Sequence, residues 1–404
     1  MVTNFIKYAV SEGIAKLAPF ITTLYVAKNI SVEDFGRYSL IFVIYELFFI
    51  LISFNIQATT RIDFFKLPRT KFLASKREHF IISFSLALFI LIVSIIVGFE
   101  FKYILVMLVL SILMRCLSVF QLAVYQCERN ASSYVISNLT FTISLSLITI
   151  FFVVFGFGYL SWLYGLLFAS FLQLLVSCFL FKFTKVKLYL ALNRLDFNAD
   201  SFKSTFIMAL LFLPQALGWW LKLGADRWII ESKVGTVTLG EYSLAFQFAS
   251  VLLIAATVIN LVLVPEINTC LKQNNFKRIK MFLYPATIFL AILAFVIYFV
   301  AREIVTIFYK VDYLNSIYYL KLLMFPFLVQ SLILIVSNIL YYFGQGGYMA
   351  KIILVTFSLQ FLINFFFVDS FAVRGMVLIS LFANIIVFLL IILKSKKELA
   401  LKGF

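Results

Sequence analysis

Apolar residues run through this chain in blocks of about 20, separated by short polar stretches, from one end to the other. A block of that length crosses a hydrocarbon core of about 30 Å as a helix. The pattern predicts twelve spans, near positions 4–28, 37–57, 80–98, 103–125, 134–155, 161–181, 205–230, 242–264, 281–301, 316–343, 348–368 and 374–393. The fold class this implies is an all-α integral membrane protein. The opening "MVTNFIKYAVSEGIAKLAPF" lacks a charged start followed by a small-residue cleavage site, so the first span is expected to stay in the protein.

The pattern also repeats. "EDFGRYSLIF", Glu33 to Phe42, returns 204 residues later as "VTLGEYSLAF", Val237 to Phe246, with Gly, Tyr, Ser, Leu and Phe in register. Six predicted spans precede the basic stretch at 182–204 and six follow it, so both halves enter the membrane from the same side. The expected organisation is an N-terminal six-helix lobe (1–181), a basic cytoplasmic linker (182–204) and a C-terminal six-helix lobe with a short cytoplasmic tail (205–404). Such halves are parallel repeats about an axis along the membrane normal, an arrangement used by transporters. Each copy of the motif leads from an outside loop into the second helix of its half. Gly36 and Gly240 are expected to permit a tight helix start, and Tyr38 and Tyr242 to sit in the aromatic belt.

Composition agrees and limits the chemistry. The chain is 64% hydrophobic and 13% charged, with a mean hydropathy of +1.07, far from the half-apolar, quarter-charged balance of soluble domains. Its formal net charge is +16. The excess concentrates in "RIDFFKLPRTKFLASKREH", "KFTKVKLYLALNRLDFNADSFK", "LKQNNFKRIK" and the tail "KSKKELALK". These all fall on one side if both termini are cytoplasmic, which is the positive-inside pattern. The charge is thus read as topology, with the lipid bilayer as partner and no nucleic acid. Cys116 and Cys178 fall in spans and Cys127 and Cys270 in cytoplasmic loops, so no disulfide framework is expected. The single histidine, His79, sits beside Glu78 in a basic loop and reads as a solvated residue, with no metal site around it. No segment matches G-x-x-x-x-G-K-[ST], and "GQGG" at 344–347 reads as a turn, so neither ATP hydrolysis nor a cofactor is expected.

Ionisable groups inside spans cost about 2.5–3.5 kcal/mol each on insertion scales and need a reason. Eight stand out: Glu12 and Lys16, Glu46, Arg115, Lys222, Asp226 and Arg227, and Lys321. Spans 1 and 7, counterparts in the two halves, each carry an acid and a base four residues apart on one helical face. Both are interrupted, by Gly13 and Pro19 in one and by Pro214, Gly218 and Gly224 in the other, and matched interruptions point to a transporter's site. Mutual neutralisation within each pair is the competing account. Glu46 and Arg115 lie near mid-depth with no ion partner in their own helices, so they bridge each other, line a hydrated cavity, or do both. Arg227 and Lys321 lie near span ends and could snorkel. Ser243, Gln247 and Ser250, and Thr356, Gln360 and Asn364, form milder polar stripes suited to hydrogen bonds between helices.

A resemblance extends this reading. "SEGIAKLAPFITTLYVAKNISVEDFGRYSLIFVIYELFFILISFNIQATTR" resembles the opening of polysaccharide flippases of the multidrug/oligosaccharidyl-lipid/polysaccharide exporter superfamily. "DRWIIESKVGTVTLGEYSLAFQFASVLLIAATVINLVLVPEI" is similar to the family's Asp-Arg, Gly-x-Tyr-Ser-Leu-Ala and closing Pro pattern. The resemblance implies two six-helix lobes around a central cavity, moving O-antigen or capsule repeat units by alternating access in the bacterial cytoplasmic (inner) membrane. The expected cargo is an undecaprenyl-pyrophosphate-linked oligosaccharide. Lys16, Arg115 and Lys222 would bind its pyrophosphate, and Arg61, at a position where the family carries a basic residue, would meet a phosphate at the inner mouth. Glu12, Glu46 and Asp226 would tune those bases or couple an ion. Without an ATP motif, the drive would come from a proton or sodium gradient or from product removal, and a polymerase is a possible pathway partner. A cation-coupled multidrug exporter of the same superfamily is the nearest rival, although the charge embedded in the membrane is net positive. A membrane-embedded polymerase or ligase is the rival enzyme class, and it would need reactive groups on a larger outside loop.

Overall fold

The computed structural model describes residues 2–96, 102–181, 199–273 and 275–401, so most of the basic linker expected at 182–204 lies outside the described residues. Among those residues the regular structure is helical. The elements are α1 (Val2–Asn29), α2 (Val32–Ser53), α3 (Ile56–Lys66), α4 (Arg69–Ile96), α5 (Lys102–Cys127), α6 (Ala131–Val154) and α7 (Ser161–Phe181). They continue as α8 (Ala199–Leu223), α9 (Ala225–Lys233), α10 (Thr236–Ala249), α11 (Val251–Lys272), α12 (Phe276–Phe308), α13 (Asn315–Tyr342) and α14 (Gly346–Leu401). As far as the described residues reach, each of the twelve predicted spans falls on these helices. The eighth is α10 and α11 end to end, and the last two share α14, which breaks at Ala372 (φ 49°, ψ −166°).

The outward faces are apolar, with Phe89, Ile96, Leu211, Phe366 and Phe382 exposed as lipid-facing residues would be. The interior mixes Leu, Ile and Val with buried Ser, Thr, Gln and Asn, because helix association in lipid relies on close packing and hydrogen bonds. Gly165 on α7 shows the first device: a Cβ there would lie 2.3 Å from Thr149 Oγ1 of α6. Side chains also bond backbone carbonyls at the helix prolines: Thr23 donates to the Pro19 carbonyl at 2.9 Å, Thr269 to that of Pro265 at 2.8 Å, and Asn384 to that of Pro326 at 2.9 Å.

The chain divides into two compact units. The first comprises Met1–Val26 and Ile44–Ala216, the second Ala27–Val43 and Leu217–Phe404. The units differ from the sequence halves at two places. Residues 27–43, the end of α1 and the start of α2, pack within the second unit. The start of α8 packs within the first, where Phe206 meets Phe54 at 5.3 Å between ring centroids and Thr205 donates to Ser75 at 3.1 Å.

The structure corrects three local expectations. Residues 58–79 are not an open loop: α2 ends at Phe54 and Asn55, both with positive φ (46° and 59°), and the chain resumes at once as α3 and α4. His79 is consequently fully buried rather than solvated. Its Nε2 lies 3.0 Å from the Ser53 carbonyl freed by the break. Gly36 and Gly240, expected to permit a tight helix start, sit inside helices at close approaches to a neighbouring backbone. Tyr38 and Tyr242 lie inside the unit, 5% and 2% exposed, not in an interfacial belt.

Candidate functional site

The charges at membrane depth fall into separate clusters, each within one unit. On α1, Glu12 turns away from its helical neighbour Lys16. Its carboxylate accepts from the Tyr134 hydroxyl of α6, Tyr134 accepts from Gln126 of α5, and Gln126 Oε1 accepts from Arg61 Nε of α3 at 3.0 Å. Asn138, one turn beyond Tyr134, fixes the α1–α6 register by donating to Ser11 at 3.2 Å. A relay of side chains thus joins Arg61 to Glu12. Lys16 feels the Glu12 charge but is not within 4.0 Å of any carboxylate among the described residues.

Arg115 on α5 forms the second cluster of the first unit. Its guanidinium donates to Gln173 Oε1 of α7 and to the Tyr45 hydroxyl of α2, and lies 3.6 Å from the Phe141 ring centroid on α6. Gln173 is held in turn by donating to the Ser137 carbonyl at 3.2 Å. Glu46 neighbours this cluster and feels the Arg115 charge, yet no bridge within 4.0 Å forms between them among the described residues. Of the two expected alternatives, a closed ion pair is absent from this conformation. Lys16, Glu46 and Arg115 are half-buried and Arg61 is exposed. Lys16, Arg61 and Arg115 of the first unit are therefore bases that no carboxylate neutralises at contact distance among the described residues.

In the second unit Lys222, Asp226 and Arg227 are buried and held mainly by neutral partners, again without an ion pair among them at contact distance. Gly224 ends α8 and α9 starts beyond it, so Lys222 and Asp226 stand on different helices and do not form a one-face pair. Lys222 donates to Ser380 of α14 and lies 5.5 Å from the Phe357 ring centroid. Asp226 accepts from Asn364 of α14 at 3.0 Å and from Tyr242 of α10 at 3.5 Å. Arg227, expected to snorkel, instead stacks 4.1 Å from the Phe246 ring centroid and is 6% exposed. Lys321 is exposed. The polar stripes serve helix contacts as expected for Ser243, which bonds Ser39 at 2.9 Å, and for Asn364. Gln360 is buried beside them with neither amide atom paired among the described residues.

Sequence reasoning missed a third ionic group in the first unit. Lys76 of α4 is fully buried, donating to Asp63 Oδ2 of α3 at 2.8 Å and to Thr59 Oγ1 at 3.1 Å. Ser75 donates to the same carboxylate oxygen at 3.2 Å, and His79 Nδ1 lies 3.5 Å from Thr59 Oγ1. The group holds itself together and reaches the Ser53 carbonyl through His79, which fits a clamp on the α2–α3 break better than a ligand site.

Comparison with known proteins places this geometry. The family described as "Polysaccharide biosynthesis protein" matches residues 1–270. A protein of the Lsg locus of Haemophilus influenzae is 23% identical over 375 residues, covering 87% of this chain and 90% of that protein. An inward-facing multidrug-resistance MATE family transporter of the MOP superfamily superimposes with a TM-score of 0.71 at 12% identity, over 98% of both chains. A MOP-superfamily transporter from Pyrococcus furiosus gives 0.66 at 14% identity, over 98% of this chain and 95% of that one. At such identities the structural likeness is one of fold. The chain belongs to the polysaccharide biosynthesis protein family, a multi-pass membrane protein with the fold of MOP-superfamily transporters.

Proposed function

We propose that the chain is a flippase that carries undecaprenyl-pyrophosphate-linked oligosaccharide repeat units across the bacterial cytoplasmic membrane by alternating access, with both termini in the cytoplasm. The observation that carries the choice of cargo is the set of uncompensated bases in the first unit. Lys16, Arg61 and Arg115 are accessible, and none is bridged to a carboxylate among the described residues. A pyrophosphate supplies the missing anionic charge, and its attraction to a base grows as water is excluded. A site for organic cations would need the opposite balance.

Each residue then has a distinct task. Arg115 is oriented by Gln173, Tyr45 and the face of Phe141, so its remaining N–H groups point as a fixed fork that suits phosphate oxygens. Arg61 is the first basic group on the relay that ends at Glu12, and Lys16 lies one turn further along α1. Glu46 and Glu12 set the local potential without cancelling it. Lys222 is a phosphate contact only in a conformation that releases Ser380 and Phe357. Asp226 keeps the second-unit bases soluble in the interior. The chain itself makes and breaks no covalent bond in this scheme; a proton or sodium gradient, or removal of product by a polymerase, supplies direction.

Lys16→Ala, Arg61→Ala and Arg115→Ala test the assignment through surface polysaccharide and the lipid-linked intermediate, with membrane abundance measured alongside. Each is expected to lower surface polysaccharide and to build up intermediate on the cytoplasmic leaflet at unchanged abundance. Full export by all three contradicts the site. Accumulation on the outer leaflet would instead point to a polymerase or ligase.

A further inference from the structure

Two buried bases of the second unit share one acid. Lys222 is 5% exposed, Asp226 and Arg227 are each 6% exposed, and all three lie inside that unit. Asp226 is the carboxylate whose charge each base feels, yet neither base reaches a carboxylate within 4.0 Å among the described residues. The Asp226 oxygens are engaged instead by Asn364 at 3.0 Å and Tyr242 at 3.5 Å. Two bases against one acid leave one net positive charge in the interior, and charge at membrane depth persists when something pairs it.

Unused hydrogen-bonding groups gather at the same place. Along α14, the Phe357 ring centroid lies 5.5 Å from Lys222 Nζ, and Asn364 reaches Asp226. Gln360 comes three residues after Phe357 and four before Asn364, so all three share one helical face. Gln360 thus stands between the contact to the base and the contact to the acid. It is 2% exposed, and both atoms of its amide lack a partner among the described residues. Arg227 Nε is buried without one as well, while its guanidinium stacks on Phe246. Lys222 spends one N–H on Ser380, and an ammonium carries three. Leaving such donors unmet in the interior is costly.

Charge decides what meets them. Water donates and accepts, so it would satisfy the amide, but it would leave the positive charge uncompensated. A metal cation would suit Gln360 Oε1 and Asn364 Oδ1, both without a donor among the described residues, but it would add to the positive charge. A small anion takes up the free N–H groups and cancels the charge together, and its attraction to the two bases grows as water is excluded. The depth of burial of Lys222, Gln360 and Arg227 suits a monatomic ion and not a lipid-borne pyrophosphate.

We propose that Lys222, Arg227 and the Gln360 amide hold a chloride ion as a resident counter-ion of the second unit. Thermal unfolding of the purified protein, followed by tryptophan fluorescence in detergent at fixed ionic strength, compares sodium chloride, choline chloride and sodium gluconate. Both chloride salts are expected to raise the melting temperature alike and saturably. At 100 times the dissociation constant, the ratio of folded to unfolded protein should rise about 100-fold. Lys222→Met and Arg227→Met each remove the surplus charge and are expected to abolish the chloride effect. Asp226→Asn leaves two bases unopposed and is expected to lower the chloride concentration for half-maximal stabilisation. Equal melting in all three salts, stabilisation that follows sodium instead of chloride, or a chloride effect undiminished in both Met variants each overturns the site. Equilibrium binding of radioactive chloride to the wild-type protein covers the case of variants that do not fold. About one ion per chain, displaced by bromide and not by sulfate or inorganic phosphate, is expected, and absence of displaceable binding overturns the site. None of these readouts involves transport, so the outcome is independent of the cargo.

Discussion

The buried Lys76–Asp63 pair offers a quantitative test of how the α2–α3 break is held. Lys76 is fully buried and Asp63 is 5% exposed, with 2.8 Å between Nζ and Oδ2. At an effective dielectric of about 20, that separation corresponds to roughly 6 kcal/mol of gross attraction. Desolvating two ions costs several kcal/mol each, so the intact pair contributes little net stability. Lys76→Met removes the attraction and leaves the Asp63 carboxylate buried with only Ser75 donating to it; the expected loss is about 3–5 kcal/mol. Asp63→Leu strands the ammonium on Thr59 and should cost a similar amount. The double variant strands no charge. Thr59 still donates to the Ile56 carbonyl at 3.2 Å and Ser75 still accepts from Thr205, so it should lose only about 1–2 kcal/mol, the cost of two weakened hydroxyls. Tryptophan fluorescence during reversible SDS titration in mixed micelles measures all four corners of the cycle. A double variant as damaged as the sum of the singles would refute the pairing argument, because uncoupled sites add.

Other consequences are independent of that pair. Asn55 has φ 59° and ψ 35°, so Asn55→Gly should be neutral or slightly stabilising while Asn55→Val costs about 1–2 kcal/mol or more, read by the same titration. Gly36→Ala and Gly240→Ala should each destabilise the protein by about 1–3 kcal/mol, because a Cβ at either would overlap a carbonyl oxygen of the other helix, read by the same titration. Their combination should cost less than the sum of the two effects, because one widening of the helix contact relieves both clashes. Asp226→Asn should lower membrane abundance more than Glu46→Gln does, since Asp226 is buried between Lys222 and Arg227 and accepts from Asn364 and Tyr242 whereas Glu46 is half-buried; quantitative immunoblotting of membranes checks the order. Arg115→Lys should export less than wild type despite keeping its charge, because the ammonium loses the planar stacking on Phe141 and the fork toward Gln173.

Much of this architecture is legible in the chain, and the failures are instructive. Long apolar blocks leave few alternatives to spanning helices, and helices occupy them in the structure. Gly224 also breaks span 7, as its sequence suggests. What pattern alone does not convey is rotation about each helix axis. Glu12 and Lys16 share a face by spacing, but the position of α6 decides that Glu12 meets Tyr134. Tyr38 and Tyr242 carry the composition of an interfacial belt and are buried nonetheless, because the motif folds onto its own copy. The Lys76–Asp63–His79 group was hidden by composition: a stretch rich in Lys and Arg reads as a solvated loop until α3 and α4 wrap its charges inward. Ala372 breaks α14 without a glycine or proline to announce it, and the structure offers no local reason for that choice. The repeat itself was visible, but its reason was not. Two glycines expected to permit a tight helix start are contact points.

The central claim is that this chain moves an anionic, lipid-linked sugar by means of the open bases of its first unit. Reconstitution into liposomes with a labelled undecaprenyl-pyrophosphate oligosaccharide, scored by the label's accessibility at each leaflet, measures that movement directly. Translocation should accelerate with the wild-type protein and fall at least tenfold in a Lys16→Ala/Arg61→Ala/Arg115→Ala variant that retains the wild-type melting behaviour. Equal rates for the variant and the wild type, or no acceleration over empty liposomes by either, would contradict the account.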